Sequence, residues 1–456
     1  MKIERYILID KRLYSPQDNE GRFLQRNHDR YPSLITQKNG RWTIQFCGVL
    51  WGANFITFVL PVQLNTATKS ELDSSNISLM VRTLAKYEHE ASENRAEDFY
   101  LKQPNEPDSE IALSLELIDD YERYGILSRT RTIKTLHPIG RVDWSRTIAH
   151  TQTVISESGP FYPTPIYKTQ KPMETNPLSI LHKSMVRHYM TAFGWMLHPK
   201  QKIDISQMDA TPELWLPYSI QECLTILDNE LSSSFSDREL FVIQTMRRLL
   251  QSLDRNQQRR RIAYGTRFFW EIWERGCKKL FDDDCRLYTE LLPQPSWMAI
   301  ETEKAKVAIP HISQRPDVLS ILEDTLYVLD AKYYDYSRSL PGWEDIGKQY
   351  WYEKTMQAQV RAGIDRYMRL RETSNALLLP GPVGSGIAPI AYTSFSQEIM
   401  EELNLQTLTA FTVDIKQILC SYLDELPDHE SWRRRYMNII HSRSHSPIHH
   451  NQSAEA

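Results

Sequence analysis

The chain has 456 residues, of which 41% are hydrophobic and 25% charged, and its formal net charge is −4. These values are typical of a globular protein with two or three domains, and they neither require nor exclude a polyanionic partner. No run of about 18 apolar residues exists, which argues against a transmembrane helix. The N-terminus MKIERYILIDKR has no apolar signal-peptide core, and the five cysteines form no CxxC pair. We therefore expect a cytoplasmic protein with reduced thiols and without a zinc site.

The first half of the chain predicts a β-rich module followed by helices. The segment RWTIQFCGVLWGANFITFVLP contains two β-prone runs separated by Gly-Ala-Asn, which predicts a hairpin. Residues 136–168 are rich in Pro, Thr and His and predict extended or looped structure. Apolar residues at helical spacing predict helices in four segments, at residues 76–90, 109–124, 176–198 and 211–253.

The second half has the pattern of an α/β domain. Its predicted elements follow the order helix, strand, strand, helix, strand, strand, strand, which favours a mixed sheet flanked by helices. The stretch RNQQRRR interrupts the periodicity and predicts a boundary near residue 255. We therefore predict an α+β N-terminal region with its hairpin module at about 40–62, an α/β domain, and a disordered tail rich in Ser and His, at residues 1–254, 255–440 and 441–456.

One segment of the second half has charged residues at the ends of two apolar runs. Residues 315–336, RPDVLSILEDTLYVLDAKYYDY, contain VLSIL and LYVL joined by the turn EDT, which predicts two paired strands. Pairing would bring Asp317 and Asp330 together at one end of the strands. Because side chains alternate along a strand, Lys332 lies on the same face as Asp330, while Ala331 points away and offers only its backbone carbonyl.

This combination of residues suits phosphodiester hydrolysis, which needs an activated water and a charge that offsets the phosphate. Carboxylates that hold Mg²⁺ provide both, because Mg²⁺ takes oxygen ligands and keeps several waters. The predicted ligands are Asp317, Asp330 and the Ala331 carbonyl, with Mn²⁺ as the alternative metal, and Lys332 is predicted to position or activate the water. The alternative is that Asp330 and Lys332 are ordinary strand-end charges and that Asp317 belongs to a turn.

The spacing of these residues resembles a known motif. Pro316-Asp317, followed by a hairpin and then by Asp330-Ala331-Lys332, is similar to the signature of the PD-(D/E)xK nucleases. The motif is loose, and the strand pattern on both sides raises it above chance. The resemblance favours a nuclease over the alternative of unrelated strand-end charges.

That resemblance also implies a glutamate on the helix before the first strand. The segment FFWEIWERGCKKLF offers Glu271 and Glu274. At about 100° per residue, Glu274 lies at the flank of the apolar stripe and Glu271 lies nearly opposite it. We predict that Glu274 is a catalytic residue and metal ligand and that Glu271 is the solvated alternative. The stripe consists of Phe269, Trp273, Gly276, Cys277 and Leu280.

A closer resemblance covers about residues 40–430. YGTRFFWEIWERGC, PGWEDIGKQYWYEK, GRVDWSRTI and the hairpin FCGVLWGANFITFVLP are similar to the LlaJI-type restriction endonucleases, which are related to the nuclease subunit of the McrBC restriction system. The resemblance implies a Mg²⁺-dependent endonuclease that restricts foreign double-stranded DNA and leaves a 5′-phosphate. It also implies an AAA+ GTPase partner, and we predict that residues 1–254 bind this partner or DNA. The competing prediction is a non-catalytic, nuclease-like adaptor, which the intact Asp317, Asp330 and Lys332 argue against.

The resemblance also marks Lys348 and Gln349 on the helix after the second strand. Related nucleases have a glutamine there and a tyrosine four residues later, whereas in this chain Glu353 occupies that position and Tyr352 precedes it. Gln349 is nevertheless a predicted catalytic residue, in contact with the phosphate or with a metal-bound water.

Two further segments have alternative interpretations. Tyr333 and Tyr334 either stack on bases or pack beneath the site, and packing is favoured. In GRVDWSRTI, Asp143 and Arg146 either contact DNA or a partner, or else Asp143 caps a short turn while Trp144 packs in the core. We keep these last two alternatives as equals.

Two other motifs have a simpler explanation. GPVGSG, residues 381–386, resembles a phosphate loop, but no Lys-Ser/Thr follows it, so it predicts a surface loop. The chain therefore has no phosphate loop of its own. A solvated tail explains the C-terminal histidines better than metal binding does, and these are His441, His445, His449 and His450.

Overall fold

The computed structural model describes residues 4–52, 55–64, 74–92, 110–128, 130–157, 159–172, 176–197, 216–255, 262–292, 296–298, 305–308, 315–362, 367, 369–393 and 395–444. The chain is α/β, as predicted, and it forms two compact units. Unit 1 combines residues 1–105 with residues 261–456, and unit 2 consists of residues 106–260. The sequence predicted a single N-terminal region, residues 1–254. In the structure, residues 1–105 belong instead to the same compact unit as residues 261–456.

The first segment of unit 1 is built around a β-hairpin. Its elements are β1 (Glu4–Ile9), α1 (Asn19–Asn27), β2 (Ile35–Lys38), β3 (Arg41–Ile44), β4 (Cys47–Gly52), β5 (Phe55–Leu60) and α2 (Ser74–Ser92). Strands β4 and β5 form the antiparallel pair at the position of the predicted hairpin, and β1 pairs in parallel with β5. All six residues of β5 are buried, which explains why its apolar residues run without interruption.

Unit 2 is largely helical and carries two small antiparallel sheets. Its elements are α3 (Glu110–Tyr124), β6 (Thr130–Thr135), β7 (Arg141–Val142), α4 (Trp144–His150), β8 (Val154–Ser156), β9 (Gly159–Phe161), β10 (Tyr167–Pro172), α5 (Pro177–Leu197), α6 (Ile220–Ser233) and α7 (Asp237–Arg255). The strand order is β6-β10-β7 in one sheet, and β8 pairs with β9 in the other. The helix predicted over 211–253 is divided into α6 and α7, because the chain is extended at Ser234.

Asp143 caps a helix in unit 2, as one of its two interpretations predicted. Its side chain accepts a hydrogen bond from the Arg146 backbone N–H (3.3 Å) at the start of α4. The same interpretation placed Trp144 in the core, and this part is wrong, because the Trp144 side chain is 57% exposed.

The second segment of unit 1 begins with a strand that joins the N-terminal sheet. Its elements are β11 (Ile262–Thr266), α8 (Phe269–Leu280), α9 (Leu287–Glu290), β12 (Ser296–Met298), β13 (Ala305–Ala308), β14 (Val318–Leu322), β15 (Thr325–Ala331), α10 (Trp343–Ala362), β16 (Glu372–Gly381), β17 (Ile387–Thr393), α11 (Gln397–Glu402), β18 (Leu408–Asp414), α12 (Ile415–Tyr422) and α13 (His429–Ser444). Strand β11 pairs with β4, which gives a sheet of order β1-β5-β4-β11.

The junction between β4 and β11 depends on two glycines. Gly48 pairs with Gly265, and both have positive φ angles, +151° and +150°. A Cβ atom on Gly265 would lie 2.1 Å from the Cys47 carbonyl oxygen, so no larger residue fits while the strands keep this spacing. The two segments of unit 1 are thus joined by a backbone approach that only glycine permits.

A five-stranded mixed sheet forms the centre of the second segment. Its order is β14-β15-β16-β18-β17, with β15, β16 and β18 parallel and the two edge strands antiparallel to their neighbours. Every residue of β15 and β18 is buried, as expected for central strands. Leu326 and Val328 of β15 share a cluster with Tyr352 and Met356 of α10, so α10 covers the face that the even-numbered β15 residues present.

Helix α8 is amphipathic as predicted. All five residues of the predicted stripe are buried, together with Ile272. A Cβ atom at Gly276 would lie 2.5 Å from a methyl carbon of Ile418, so this glycine allows α8 and α12 to pack closely. None of the described helices is long and apolar enough to cross a membrane.

The structure modifies two predictions near the C-terminus. Helix α13 continues to Ser444, because Tyr436, Met437 and Ile440 keep its inner face buried, so the predicted disorder is wrong for residues 441–444. His441 lies on this helix, with Nδ1 3.1 Å from the Ser374 hydroxyl. Residues 445–456, including the other three tail histidines, lie outside the described residues.

The glycine-rich stretch at 381–386 begins at the end of β16 and leads as a turn into β17. The Gly384 N–H donates to the carboxylate of Asp414 (2.7 Å), at the end of β18. A carboxylate of the protein itself therefore uses this amide, which agrees with a structural turn.

Candidate active site

The two predicted aspartates meet at one end of the β14–β15 pair. The antiparallel register places Val318 opposite Leu329, and one further step places Asp317 opposite Asp330. The Ala331 N–H donates to Asp317 Oδ2 (2.8 Å), which fixes the Asp317 carboxylate against the neighbouring strand. Strand pairing therefore brings the two carboxylates together, as the sequence pattern predicted.

Lys332 lies between two carboxylates. Its Nζ is 2.8 Å from Asp330 Oδ2 and 3.5 Å from Asp345 Oδ1. Burial alone would lower the pKa of Lys332, but the adjacent carboxylates of Asp330, Asp317 and Asp345 outweigh it and hold this pKa above its ordinary value. Lys332 is thus a fixed positive charge at the strand end.

Sequence analysis did not identify Asp345. This residue lies in the first turn of α10, where an acidic side chain is common because it interacts favourably with the helix dipole. Its contact with Lys332 spans 13 residues and depends on how α10 packs on the sheet, so no local signal in the sequence could have indicated it.

Glu274 belongs to the same electrostatic cluster. Burial, together with the charges of Asp330 and Glu271, raises the pKa of Glu274 to about 7, although Lys278 and Lys332 oppose the shift. Burial and the charges of Asp330 and Glu274 raise the pKa of Asp317 to about 8. Burial and the nearby carboxylates thus favour the protonated forms of Asp317 and Glu274.

Glu271 faces a different part of unit 1. Its Oε2 accepts a hydrogen bond from the Tyr87 hydroxyl of α2 (2.6 Å). One turn further along α8, Arg275 pairs with Glu90 of α2 (2.8 Å). Glu271 was predicted to be solvated, but it is half-buried and forms part of the contact between α8 and α2.

Gln349 is fully buried beneath the sheet. Its Nε2 donates to the backbone carbonyls of Val328 (3.1 Å) and Ala376 (3.3 Å), on the adjacent strands β15 and β16. This position suits an anchor of α10 to the sheet better than the predicted contact with a phosphate. Lys348 is on the outside of α10 and pairs with Glu344 (2.6 Å).

Tyr352 of α10 also lies near the aspartates. Burial and the charges of Asp330 and Asp317 raise the pKa of Tyr352 to about 12. The shift in position relative to related nucleases, from the fourth to the third residue after Gln349, therefore still leaves a tyrosine near the carboxylates.

A second hydrogen-bond network holds the backbone of Asp317. The Tyr288 hydroxyl lies within hydrogen-bonding distance of Asp283 Oδ1 (2.8 Å) and of the Asp317 carbonyl (3.1 Å). Asp283 Oδ1 also accepts from the Leu319 N–H on the edge strand β14 (2.8 Å). Sequence analysis did not identify this network, because an acidic run after a helix has the pattern of a solvated loop.

The donor set at this edge suits a divalent cation. Burial, reinforced by the neighbouring carboxylates, raises the pKa of Asp317 and Glu274. A bound positive ion would favour their ionised forms, and carboxylate oxygens are the ligands that Mg²⁺ prefers. Within the described ranges, no three Asp, Glu, His or Cys side chains are arranged as a complete metal-binding group. Mg²⁺ does not require one, because it is commonly held by one or two carboxylates and several waters.

Comparison with known proteins agrees with the class of protein that this site suggests. The family model described as LlaJI restriction endonuclease matches residues 46–416. The chain belongs to this family, which supports a nuclease component of a restriction system.

Among individual proteins, the chain is similar to the "Type II restriction enzyme BsuMI component YdjA" of Bacillus subtilis (strain 168). The two are 21% identical over 409 residues, which covers 86% of this chain and 83% of the relative.

Two solved structures of Thermococcus gammatolerans proteins show weaker likeness. One is a half-complex from a tetradecameric assembly of McrB AAA+ hexamers with bound McrC, at 12% identity and a TM-score of 0.39, covering 96% of this chain and 100% of that chain. The other is the McrBC complex, at 12% identity and a TM-score of 0.22, covering 54% of this chain and 79% of that chain. Both scores are too low to support any inference about this chain.

Proposed function

We propose that this protein is a metal-dependent DNA endonuclease that cleaves foreign double-stranded DNA as part of a restriction system. The observation that carries the proposal is the pairing of Asp317 with Asp330 at one strand end, with Lys332 Nζ 2.8 Å from the Asp330 carboxylate. Family membership supports nuclease activity in general, and this geometry supplies the residues that would perform it.

The chain would hold Mg²⁺, or Mn²⁺, through Asp317, Asp330 and the Ala331 carbonyl, and Glu274 would complete the ligand shell. The bound metal would supply an activated water and an offset for the charge on the scissile phosphate. The Ala331 N–H keeps one Asp317 oxygen fixed, which limits how this side chain can turn.

Lys332 would act on the reacting groups as a permanent cation. Asp330 and Asp345 restrain its Nζ, and the raised pKa keeps it charged throughout the neutral range. A fixed cation near the phosphate favours the transition state, in which negative charge accumulates on the oxygens, over the ground state. The proposed product carries a 5′-phosphate, as the family resemblance implies.

A non-catalytic adaptor with a nuclease-like fold is the competing function. The cluster of partly buried carboxylates argues against it. Burial and the neighbouring carboxylates disfavour ionised Asp317 and Glu274 in a fold that binds no cation, so an adaptor would gain stability by losing either of them. The chain retains both, together with Asp330 and the lysine.

We further propose that the nuclease works with an AAA+ GTPase. The chain lacks a phosphate loop of its own, and the relative from Bacillus subtilis is described as one component of its enzyme. Unit 2 supports a docking role, because many large apolar side chains are exposed in its small sheets, in α4 and in the adjoining turns. A single exposed apolar residue would be ordinary, whereas several in one region of the chain are not. These exposed residues are Leu136, Ile139, Trp144, Ile148, Val154, Ile155 and Phe161.

Nicking of supercoiled plasmid by the purified protein tests the catalytic assignment. We expect Mg²⁺- or Mn²⁺-dependent nicking, and a loss of at least about a hundredfold in Lys332→Ala, Asp317→Ala and Asp330→Ala, because each removes a ligand or the cation. Lys279→Ala is the matched control, since Lys279 is an exposed lysine of α8 that pairs with Asp424 (2.7 Å). Full activity of Lys332→Ala would refute the assignment.

The partner is tested by comparing cleavage by the protein alone with cleavage in the presence of a McrB-like GTPase and GTP. We expect the pair to cut much faster, and a double substitution Trp144→Ala, Ile155→Ser to remove the stimulation but keep the weak nicking of the isolated chain. Rapid site-specific cutting by the protein alone, without nucleotide, would show that no motor is needed.

A further inference from the structure

The residue that follows Lys332, beyond the end of β15, packs beside the N-terminal sheet of unit 1. Tyr333 follows Lys332 directly, and its side chain is only 4% exposed, so it packs inside the protein and cannot stack on bases. Its hydroxyl accepts a hydrogen bond from the Val62 N–H (2.9 Å), just beyond β5. We infer that Tyr333 is a positioning residue, through which the sheet β1-β5-β4-β11 fixes the strand end that carries Asp330 and Lys332.

The pocket that receives the Tyr333 hydroxyl is polar and closed. Asp10, at the end of β1, forms side-chain hydrogen bonds with Tyr333 and Cys47, and its Oδ1 accepts from the Phe46 N–H (3.0 Å). Burial raises the pKa of Asp10 to about 6, although these hydrogen bonds and the charge of Lys11 oppose the shift. A buried carboxylate surrounded by directed donors tolerates little displacement, because each lost bond leaves a buried polar atom without a partner.

The backbone of Tyr333 is held by a separate hydrogen bond. Lys11 Nζ donates to the Tyr333 carbonyl (3.3 Å) and lies 4.6 Å from the centre of the Tyr333 ring. In return, Arg338 donates to the Lys11 carbonyl (2.9 Å). The loop after the catalytic strand is therefore tied to residues 10 and 11 through its side chain and through its main chain.

Tyr333 lies just beyond the last backbone hydrogen bond that ties this segment to the five-stranded sheet. Strand β15 ends at Ala331, and the Lys332 N–H makes a last bond to the Leu378 carbonyl (2.8 Å). Tyr333 also contacts Phe269, the first residue of α8, with ring centres 5.4 Å apart. One tyrosine thus touches the helix that carries Glu274 and adjoins the lysine, so it is placed to set their separation.

The inference rests on the proposed function, and Tyr333→Phe tests it because this change removes only the hydroxyl. We expect the rate constant for plasmid cleavage to fall about tenfold to a hundredfold, as for other residues that orient metal-site ligands, with the KM for DNA changed by less than about twofold. Tyr350→Phe is the matched control. Tyr350 is similarly buried in unit 1, and its hydroxyl donates to the Thr393 carbonyl (3.2 Å). Thr393 ends β17 and pairs with Leu408 at the start of β18, on the edge of the five-stranded sheet that lies away from the site.

Hydrogen exchange gives a second readout that does not require activity. Amides 332–336 should exchange faster in Tyr333→Phe than in the wild type, while those of β18 should not change. Lys11→Ala, at an exposed position, should loosen the same amides to a smaller degree without a risk to folding. In Asp10→Asn the Tyr333→Phe change should have less effect than in the wild type, because the two residues share one network.

The possible outcomes separate the inference from the function on which it rests. If the wild-type protein cleaves DNA and Tyr333→Phe matches Tyr350→Phe in rate and exchange, Tyr333 has no positioning role and only this inference is overturned. If KM changes and the rate constant does not, Tyr333 affects DNA binding, and the inference is equally overturned. If the wild-type protein cleaves no DNA under any condition, both the inference and the proposed function fail.

Discussion

The two acidic residues of α8, Glu271 and Glu274, lie in different electrostatic surroundings on the two sides of the helix. Glu271 receives a hydrogen bond from Tyr87, and the neighbouring Arg275 pairs with Glu90, so each charge on this side has a partner. Glu274, three residues along, lies among the negative charges of Asp317 and Asp330, with lysines as the opposing charges. The first side has the pattern of a structural contact, and the second has the excess of carboxylates that the proposed cation would offset.

Exposure does not distinguish the two glutamates, since both are half-buried, whereas the balance of charge around them does. Where partners match, the interaction stabilises packing and nothing more is needed. Where carboxylates outnumber cations in a partly buried space, their repulsion costs stability until a cation arrives.

Replacing each glutamate of α8 should separate the two sides most clearly. Glu274→Gln should slow metal-dependent nicking by at least about a hundredfold, because it removes a proposed metal ligand. Glu271→Gln should leave the rate within about twofold and lower the free energy of unfolding by about 1 kcal/mol, through the hydrogen bond with Tyr87. Cleavage rates and thermal unfolding of the two variants measure this, and equal, small effects on cleavage would mean that α8 contributes no ligand.

His182 in unit 2 is a buried titratable group of another kind, because the fold favours its neutral form. Its Nδ1 accepts from the Leu127 N–H (3.0 Å), and burial lowers the pKa of His182 from 6.5 to about 4. A depressed folded-state pKa means that the fold resists protonation, so the stabilisation is complete above about pH 6.5 and is lost as the pH falls towards 4. The loss at pH 5 should be about 2 kcal/mol.

Unfolding of unit 2 in the wild type and in His182→Gln, measured at about pH 7.5 and pH 5, checks this expectation. Glutamine can still accept from the Leu127 N–H but does not titrate, so its variant should lose less stability between the two pH values. The same pH dependence in both proteins would assign the acid sensitivity to other groups.

Addition of Mg²⁺ should stabilise the folded protein by binding the carboxylates on the Glu274 side of α8. At a concentration ten times its Kd, an ion that binds only the folded protein adds about 1.4 kcal/mol to the free energy of unfolding. Thermal unfolding with and without Mg²⁺ should show this gain in the wild type but not in Asp317→Asn. Asp228→Asn serves as the control, because Asp228 pairs with Arg247 (2.7 Å) in unit 2, and a loss of the gain there would indicate nonspecific binding.

Loss of the ion pair between Arg275 and Glu90, on the Glu271 side of α8, should have the smallest effect. Arg275→Ala removes the ion pair with Glu90, whose side chains are 38% and 35% exposed, so the free energy of unfolding should fall by no more than about 1 kcal/mol. The difference should shrink at high salt, because exposed charges are screened. Nicking should be unchanged, and a large loss of nicking would show that this side of α8 is also part of the site.

Sequence analysis predicted those parts of the site that depend on local periodicity. Asp317 and Asp330 follow from two apolar runs and a turn, since strand pairing determines which residues meet. The period of a helix placed Glu274 beside the apolar stripe of α8, and the structure places it near the aspartates. Both inferences use geometry that is contained within about 20 residues.

The remaining parts depend on contacts that no local pattern contains. Gln349 was expected at the phosphate, but whether it faces the sheet or the solvent depends on how α10 rotates on β15 and β16. Tyr333 meets Val62 across 271 residues of sequence, and periodicity carries no information over that distance. The grouping of residues 1–105 with 261–456 escaped prediction for the same reason.

The pairing of Gly48 with Gly265 also has a consequence for how the chain is made. Strand β4 leaves the ribosome long before β11, and the 209 residues between Gly52 and Ile262 take on the order of 10–40 s to synthesise. During this time unit 2 can fold on its own while the edge of β4 stays open, in a condition that invites pairing with other chains. The N-terminal sheet therefore closes late, because synthesis must pass the midpoint of the chain and reach Thr266 before the last strand of this sheet exists.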